Sequence, residues 1–259
     1  MARRIRIIGI GAGNPEHMTV EGINALNSCD VIFIPDKGDE KAFLGDLRHQ
    51  ICLRFITGKQ PRLIDFDMPV RGRQTNYVQT VNDWHAAIAE IYENLLAKDV
   101  EPDETVGLLV WGDPMLYDST IRIIERVHQR GRIEFDYDVI PGISSLQALC
   151  ARHRIPLNGE IGGAVEVMTG RMLAQGWPAG VSDVAVMLDG VQAFQTLDIP
   201  HANIYWGAYL GTPMEITLSG NLLEMSAEIV ETRQAARAEH GWIMDTYIVR
   251  RPDQSGDGR

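Results

Sequence analysis

RIRIIGIGAGNP, residues 4–15, is the stretch that decides how the rest of the chain reads. Its apolar residues up to Gly9 predict a buried strand. Glycines at 9, 11 and 13 then lead into residues 19–26, where Val20, Ile23 and Leu26 fall at helical spacing behind Thr19, a residue suited to cap a helix. Strand, glycine turn and helix open an α/β domain. Glycines at alternate positions let a ligand approach the backbone closely, which suits a nucleotide-like ligand. The dinucleotide fingerprint fails, because the sixth position from Gly9 is Asn14 and the sixth from Gly11 is Glu16. No Gly-Lys-Ser/Thr follows, so a phosphate-loop reading fails too. For this loop taken alone, a tight turn with no ligand is the plain alternative.

Outward from that unit, residues 31–34 read as a second strand stopped by Pro35, residues 63–66 as a third, and residues 105–111 as a fourth ending at Gly112-Asp113-Pro114. Trp84, Ile88, Ile91 and Leu95 mark one helix. Ile121, Ile124 and Val127 mark another, closed near Gly131. Residues 135–140 form a strand that leads through Pro141-Gly142 into a helix starting at Ser144 or Ser145. Further on, strands at 164–169, 184–188, 203–208, 215–219 and 242–249 with a helix at 222–238 predict a mixed sheet. The change in pattern places a boundary near Trp111, giving domains 1–111 and 112–251, and residues 252–259 read as a fraying tail.

The 259 residues are 45% apolar and 23% charged, a globular composition. Twenty-four Lys and Arg against 35 Asp and Glu give a net charge of −11. That balance argues against nucleic-acid binding, which needs a basic footprint, so an anionic partner must meet a local basic patch. The three cysteines, Cys29, Cys52 and Cys150, form no CxxC, and the seven histidines show no metal-ligand spacing, so neither a disulfide framework nor a metal site is expected. The first apolar stretch is too short for a signal peptide, and no apolar run would span a membrane. A cytoplasmic setting follows.

Two further strand ends carry small and polar residues, Gly112-Asp113 and Ser144-Ser145, where open α/β sheets bind ligands. Asp113 could accept hydrogen bonds from an adenosine or amino-acid group, or cap a helix; Ser144 and Ser145 carry the same two readings. Taken in order, GIGAGNPEHMT (9–19), WGDPMLYDST (111–120), IPGISSLQA (140–148), MLDG (187–190) and GTPMEITLSGNL (211–222) resemble the tetrapyrrole methylase family of S-adenosylmethionine (SAM) dependent enzymes. IPDKG (34–38), ALCARHRIPLN (148–158), WGAYLGTPMEI (206–216) and HGWIMDTYIVRR (240–251) go beyond those motifs. They resemble the branch that methylates carbon 1 of precorrin-5 in cobalamin biosynthesis and releases its acetyl group. One departure is Ala12-Gly13-Asn14, where the commonest family loop has Pro and then Gly-Asp.

The resemblance implies the two-domain tetrapyrrole methylase fold, an N-terminal Rossmann-like parallel sheet plus a C-terminal mixed α/β sheet, in a homodimer. It implies SAM contacts at Gly11, Ala12, Gly13, Gly112, Asp113, Leu116, Ser144, Ser145, Leu188, Asp189, Tyr209, Leu210 and Gly211. Acetyl loss needs a water, which a general base would help to deprotonate, although substrate carboxylates and bound water could suffice without a protein base. The candidates are Asp36, Asp113, Tyr117, His153 and Tyr209, each with a competing structural role as cap, ion-pair partner or core hydroxyl. Lys37, Arg71, Arg73, Arg152 and Arg154 are the candidate partners for the carboxylates of an anionic precorrin. The same fold acting on another precorrin or on uroporphyrinogen III, a nicotinamide oxidoreductase, and a non-catalytic tetrapyrrole and SAM binder are the competing readings.

Overall fold

The structure, a computed structural model, describes residues 2–36, 42–69 and 77–252. It divides into two compact units, residues 1–143 and 144–259.

The first unit is built on five parallel strands: β1 (Arg3–Gly9), β2 (Val31–Asp36), β3 (Arg62–Asp67), β4 (Thr105–Val110) and β5 (Phe135–Ile140), in the order β3-β2-β4-β1-β5. Alternation along each strand sorts its side chains between two faces. Ile5, Ile7, Val31, Phe33, Val106, Leu108 and Val110 pack against Ile88, Tyr92 and Leu96 of α3 (Tyr77–Asp99) and Ile123, Ile124 and Val127 of α4 (Thr120–Arg130). Ile8, Ile10, Ile32, Ile34 and Leu109 take the other face, under Ala25 and Leu26 of α1 (Val20–Asn27) and Leu47, Ile51 and Cys52 of α2 (Ala42–Phe55). Burial on both faces is what makes these strands nearly continuous apolar runs. Thr19 caps α1, its hydroxyl accepting from the Gly22 amide at 2.9 Å.

The second unit carries β6 (Val165–Thr169), β7 (Asp183–Met187), β8 (Asn203–Ala208), β9 (Ile216–Asn221) and β10 (Asp245–Arg250), ordered β6-β7-β10-β8-β9, with only the β6–β7 pair parallel. Its core gathers Val184, Val186, Ile204, Trp206, Tyr247 and Val249 against Phe194 and against Leu222, Ile229 and Ala236 of α7 (Leu222–His240). The unit opens with α5 (Ser145–His153). Ser144 caps it in a closed capping box, its hydroxyl accepting from Gln147 N while the Gln147 side chain accepts from Ser144 N at 2.8 Å. A single-turn helix, α6 (Gly170–Leu173), follows β6.

Three expectations change, and one helix is new. The boundary moves from Trp111 to between Ile143 and Ser144, because β5 pairs with β1 and completes the first sheet. Pro35 does not stop β2: the ladder to β4 covers only Val31–Phe33, so the proline lies beyond it and the strand continues to Asp36 beside β3. The helix expected around Trp84 to Leu95 extends at both ends, and α2 was not foreseen at all. The tail assignment for 252–259 falls, apart from Pro252, outside the described residues, as do Lys37, Arg71 and Arg73.

Candidate functional site

In the first unit, β4, β1 and β5 are neighbours, and their carboxyl ends deliver three loops to one place. Gly11 and Gly112 exchange backbone hydrogen bonds, the Gly112 amide donating to the Gly11 carbonyl at 2.8 Å and the Gly11 amide to that of Gly112 at 3.2 Å. Gly9, Gly112 and Gly142 press backbone on backbone. A Cβ on Gly9 would stand 2.6 Å from Gly142 N, and one on Gly142 would overlap the Gly112 carbonyl oxygen. Gly11 adopts φ +84° with no room for a Cβ against His17, and Gly13 adopts φ +143°, so both need glycine on conformational grounds. Asp113 ties the loops together: Oδ2 accepts from Gly142 N at 2.9 Å and Oδ1 from Met115 N at 2.8 Å.

In the second unit, the turn after β7 and the turn after β8 are held just as tightly. Leu188 takes a left-handed backbone, φ +54°, and is largely exposed, while Asp189 beside it is buried. The Asp189 carboxylate accepts from Val191 N (3.1 Å), Ala193 N (2.7 Å) and the Tyr247 hydroxyl (2.6 Å). Burial and that carboxylate push the Tyr247 phenol well above its ordinary range. Arg233 reaches the Asp189 carbonyl at 3.3 Å and pairs through Nε with Asp245 at 3.0 Å; the indole of Trp206 donates to the same carboxylate oxygen. After β8, Tyr209 is also left-handed (φ +51°), and its ring lies in the core with the hydroxyl on the Trp242 carbonyl. Gly211 follows at φ +79°, its amide donating to Glu215 Oε2 at 2.6 Å, and Arg152 pairs with Glu215 Oε1 at 2.6 Å. Strained, over-determined turns at strand ends are where binding sites are stored.

Residues 4–226 match the family model for tetrapyrrole (corrin/porphyrin) methylases. The chain belongs to the tetrapyrrole methylase family. It is 58% identical to the precorrin-6A synthase [deacetylating] of Sinorhizobium sp. over 96% of its own length and 95% of that protein's. It is 24% identical to the uroporphyrinogen-III C-methyltransferase of Bacillus subtilis over 79% and 77%. Among solved structures, a protein of Corynebacterium diphtheriae described as related to cobalamin synthesis superposes with a TM-score of 0.83 at 36% identity, over 98% of this chain and 100% of that one. A Thermus thermophilus uroporphyrin-III C-methyltransferase, solved with S-adenosyl homocysteine, superposes at 0.58 and 17% identity over 95% and 92%, a likeness of fold.

In this methylase the expected residues fall into distinct groups. Gly11, Ala12, Gly13, Gly112, Asp113 and Leu116 lie together on the loops after β1 and β4, with Asp36 at the exposed end of β2 and Tyr117 at φ +52° past Leu116. Ser144, Ser145, Leu188, Asp189, Tyr209, Leu210 and Gly211 lie on the second unit, whose α5 also carries Arg152 and His153, with Arg154 in its left-handed C-cap. Among the base candidates, Asp113, Tyr209 and His153 have the following internal bonds. Asp113 holds two backbone amides, Tyr209 is a core hydroxyl, and His153 Nε2 donates to the Trp206 carbonyl at 3.0 Å. Arg152 is already paired with Glu215.

The contact that the sequence did not suggest is between His85 Nε2 and the Ser119 hydroxyl, 2.8 Å apart at the start of α4. The partners are 34 residues apart, one on α3 and the other at the N-cap of α4, so no motif spans them. Among the described residues, no group of three or more His, Cys, Asp or Glu could hold a metal ion, and no helix is long and apolar enough to cross a membrane.

Proposed function

We propose that this tetrapyrrole methylase transfers the methyl group of SAM to carbon 1 of precorrin-5 and releases the acetyl group as acetate, giving precorrin-6A. The observation that carries the reading is the 58% identity, across nearly the whole of both chains, to the deacetylating enzyme of Sinorhizobium. Relatives named for other tetrapyrroles stand at 24–27% identity, most of them over about three fifths of this chain. The reading includes a homodimer, carried by the family resemblance, and a cytoplasmic setting, carried by the cysteine pattern and the short first apolar stretch.

Methyl transfer from a sulfonium is an in-line displacement, so what a protein supplies is alignment, worth up to roughly 7–11 kcal/mol in favourable cases. SAM brings the reactive methyl. This chain's contribution is rigid backbone: Gly11, Ala12, Gly13, Gly112 and Leu116 on the first unit, and Ser144, Ser145, Leu188, Leu210 and Gly211 on the second, are assigned to contact it. Asp113, Asp189 and Tyr209 act beneath those turns, fixing them through the amide and core hydrogen bonds described above. Lys37, Arg71, Arg73 and Arg154 remain the assigned partners of the substrate carboxylates. Precorrin-5, precorrin-4 and uroporphyrinogen III, each supplied with SAM, test the assignment. Only precorrin-5 is expected to gain a methyl and lose an acetyl, and equal methylation of the other two without acetate would move the assignment to them.

A further inference from the structure

The first unit holds a serine–histidine contact among residues not assigned to methyl transfer. Ser119 stands at the N-cap of α4, where a serine hydroxyl ordinarily turns back onto the helix amides. Here it makes no capping hydrogen bond, and its backbone is helical rather than extended. Asp118 takes over that work, Oδ1 accepting from Thr120 N at 2.6 Å. The freed hydroxyl points at His85 Nε2, 2.8 Å away, within the range of a nucleophile and its base. Ser119 is half-buried and ends the loop that carries Gly112 and Asp113, whereas His85 is buried on α3 against the Trp84 ring.

Resting on the activity proposed above, we infer that Ser119 and His85 are the acetyl-accepting pair. Ser119 Oγ attacks the acetyl carbonyl of the tetrapyrrole while His85 Nε2 takes the hydroxyl proton. The Oγ–carbon bond forms and the bond from acetyl to macrocycle breaks, its electron pair staying on the macrocycle. That pair supplies the nucleophile that displaces sulfur from the methyl of SAM, and His85 releases its proton to solvent. Water then adds to the acetyl-serine with His85 as base. The bond to Oγ breaks, Oγ regains a proton from His85, and acetic acid leaves and ionises. Acetyl removal therefore precedes methylation.

The surroundings suit a base. Burial, with Arg126 and Arg122 of α4 nearby, holds the imidazole below its ordinary 6.5, against the opposite pull of Asp118. The ring is neutral at physiological pH, and in the tautomer protonated on Nδ1 it accepts from Ser119.

Three proteins, wild type, Ser119→Ala and His85→Asn, incubated anaerobically with SAM and precorrin-5, test the pair. Asparagine keeps a polar group at this position but is too short to reach the Ser119 hydroxyl from where Nε2 stands, and it cannot act as a base. Acetate release is expected to fall about 100-fold or more in both variants, with the dissociation constant for SAM unchanged. Rapid acid quenching of the wild type should find an acetyl group on the peptide containing Ser119, and its acetate release should fall as the pH is lowered through a midpoint below 6.5. A folded His85→Asn protein that releases acetate at the wild-type rate overturns the pair while leaving the activity standing. Wild type that releases no acetate overturns the activity itself, and the pair with it.

Discussion

Gly142 shows how much of the site rests on single residues. Its missing side chain is the space occupied by the Gly112 carbonyl, so Gly142→Ala must push the two loops apart at a cost of about 1–3 kcal/mol. A rise in the dissociation constant for SAM, measured by calorimetry, is expected, with the second unit's circular dichroism and turns unaffected. Asp113→Asn leaves one of two backbone amides facing an NH2 instead of a carboxylate oxygen. About 1.5–3 kcal/mol is the worth of a hydrogen bond to a charged group, and a shift of that size in the denaturation midpoint is the check. The glycines were legible because their spacing is local. Read from sequence, they made room for a ligand; in the structure, Gly9 and Gly142 make room for each other. Asp113 was legible as a polar strand-end residue but not as a clamp, since its partner is 29 residues away. His85 and Ser119 were unreadable for the same reason: the pairing is made by the packing of α3 on α4.

At the level of elements, strands with alternating or continuous apolar runs were legible to within three residues at each end, Thr19 was legible as a cap, and Ser144 was one of two residues at which the helix could start. The helix α2 was missed because its pattern is inverted at two positions. Arg48 is buried, its Nε donating to the Leu109 carbonyl at 3.0 Å, whereas Leu53 is 85% exposed. Its packing gives a direct test, because Cys52 of α2 and Cys29 lie in the same buried layer, and burial pushes both thiols up to about 12. At pH 8 both should resist a thiol reagent in the native protein and react only on unfolding; native labelling would place α2 wrongly. In the second unit the polar network beneath the turn after β7 carries the corresponding load. Arg233→Met leaves the Asp245 carboxylate, 6% exposed, without its guanidinium, for a predicted loss of about 3–5 kcal/mol. Tyr247→Phe removes only the hydroxyl on Asp189 and should cost less, about 1–3 kcal/mol. Urea denaturation of the two variants ranks them.

Across the whole molecule, the two-sheet architecture was legible from the shift between widely and closely spaced strands, but the dividing point was not. β5 looks local to the second half in sequence, and only its pairing with β1 assigns it to the first. Net charge of −11 carried no information about the ligand beyond excluding a basic footprint, because the repulsion it exerts on a carboxylate-rich substrate is screened beyond about 8 Å at physiological salt. What identified the chemistry was the order of five motifs along nearly the entire chain, each of them ambiguous alone. The central claim is a coupled reaction, methyl gained and acetyl lost on the same molecule. Its most direct test is the ratio of acetate to S-adenosylhomocysteine formed from precorrin-5 and SAM under anaerobic conditions, with the product mass followed in parallel. One acetate per S-adenosylhomocysteine over many turnovers, with a single added methyl, is the predicted result. S-adenosylhomocysteine formed without acetate would contradict it.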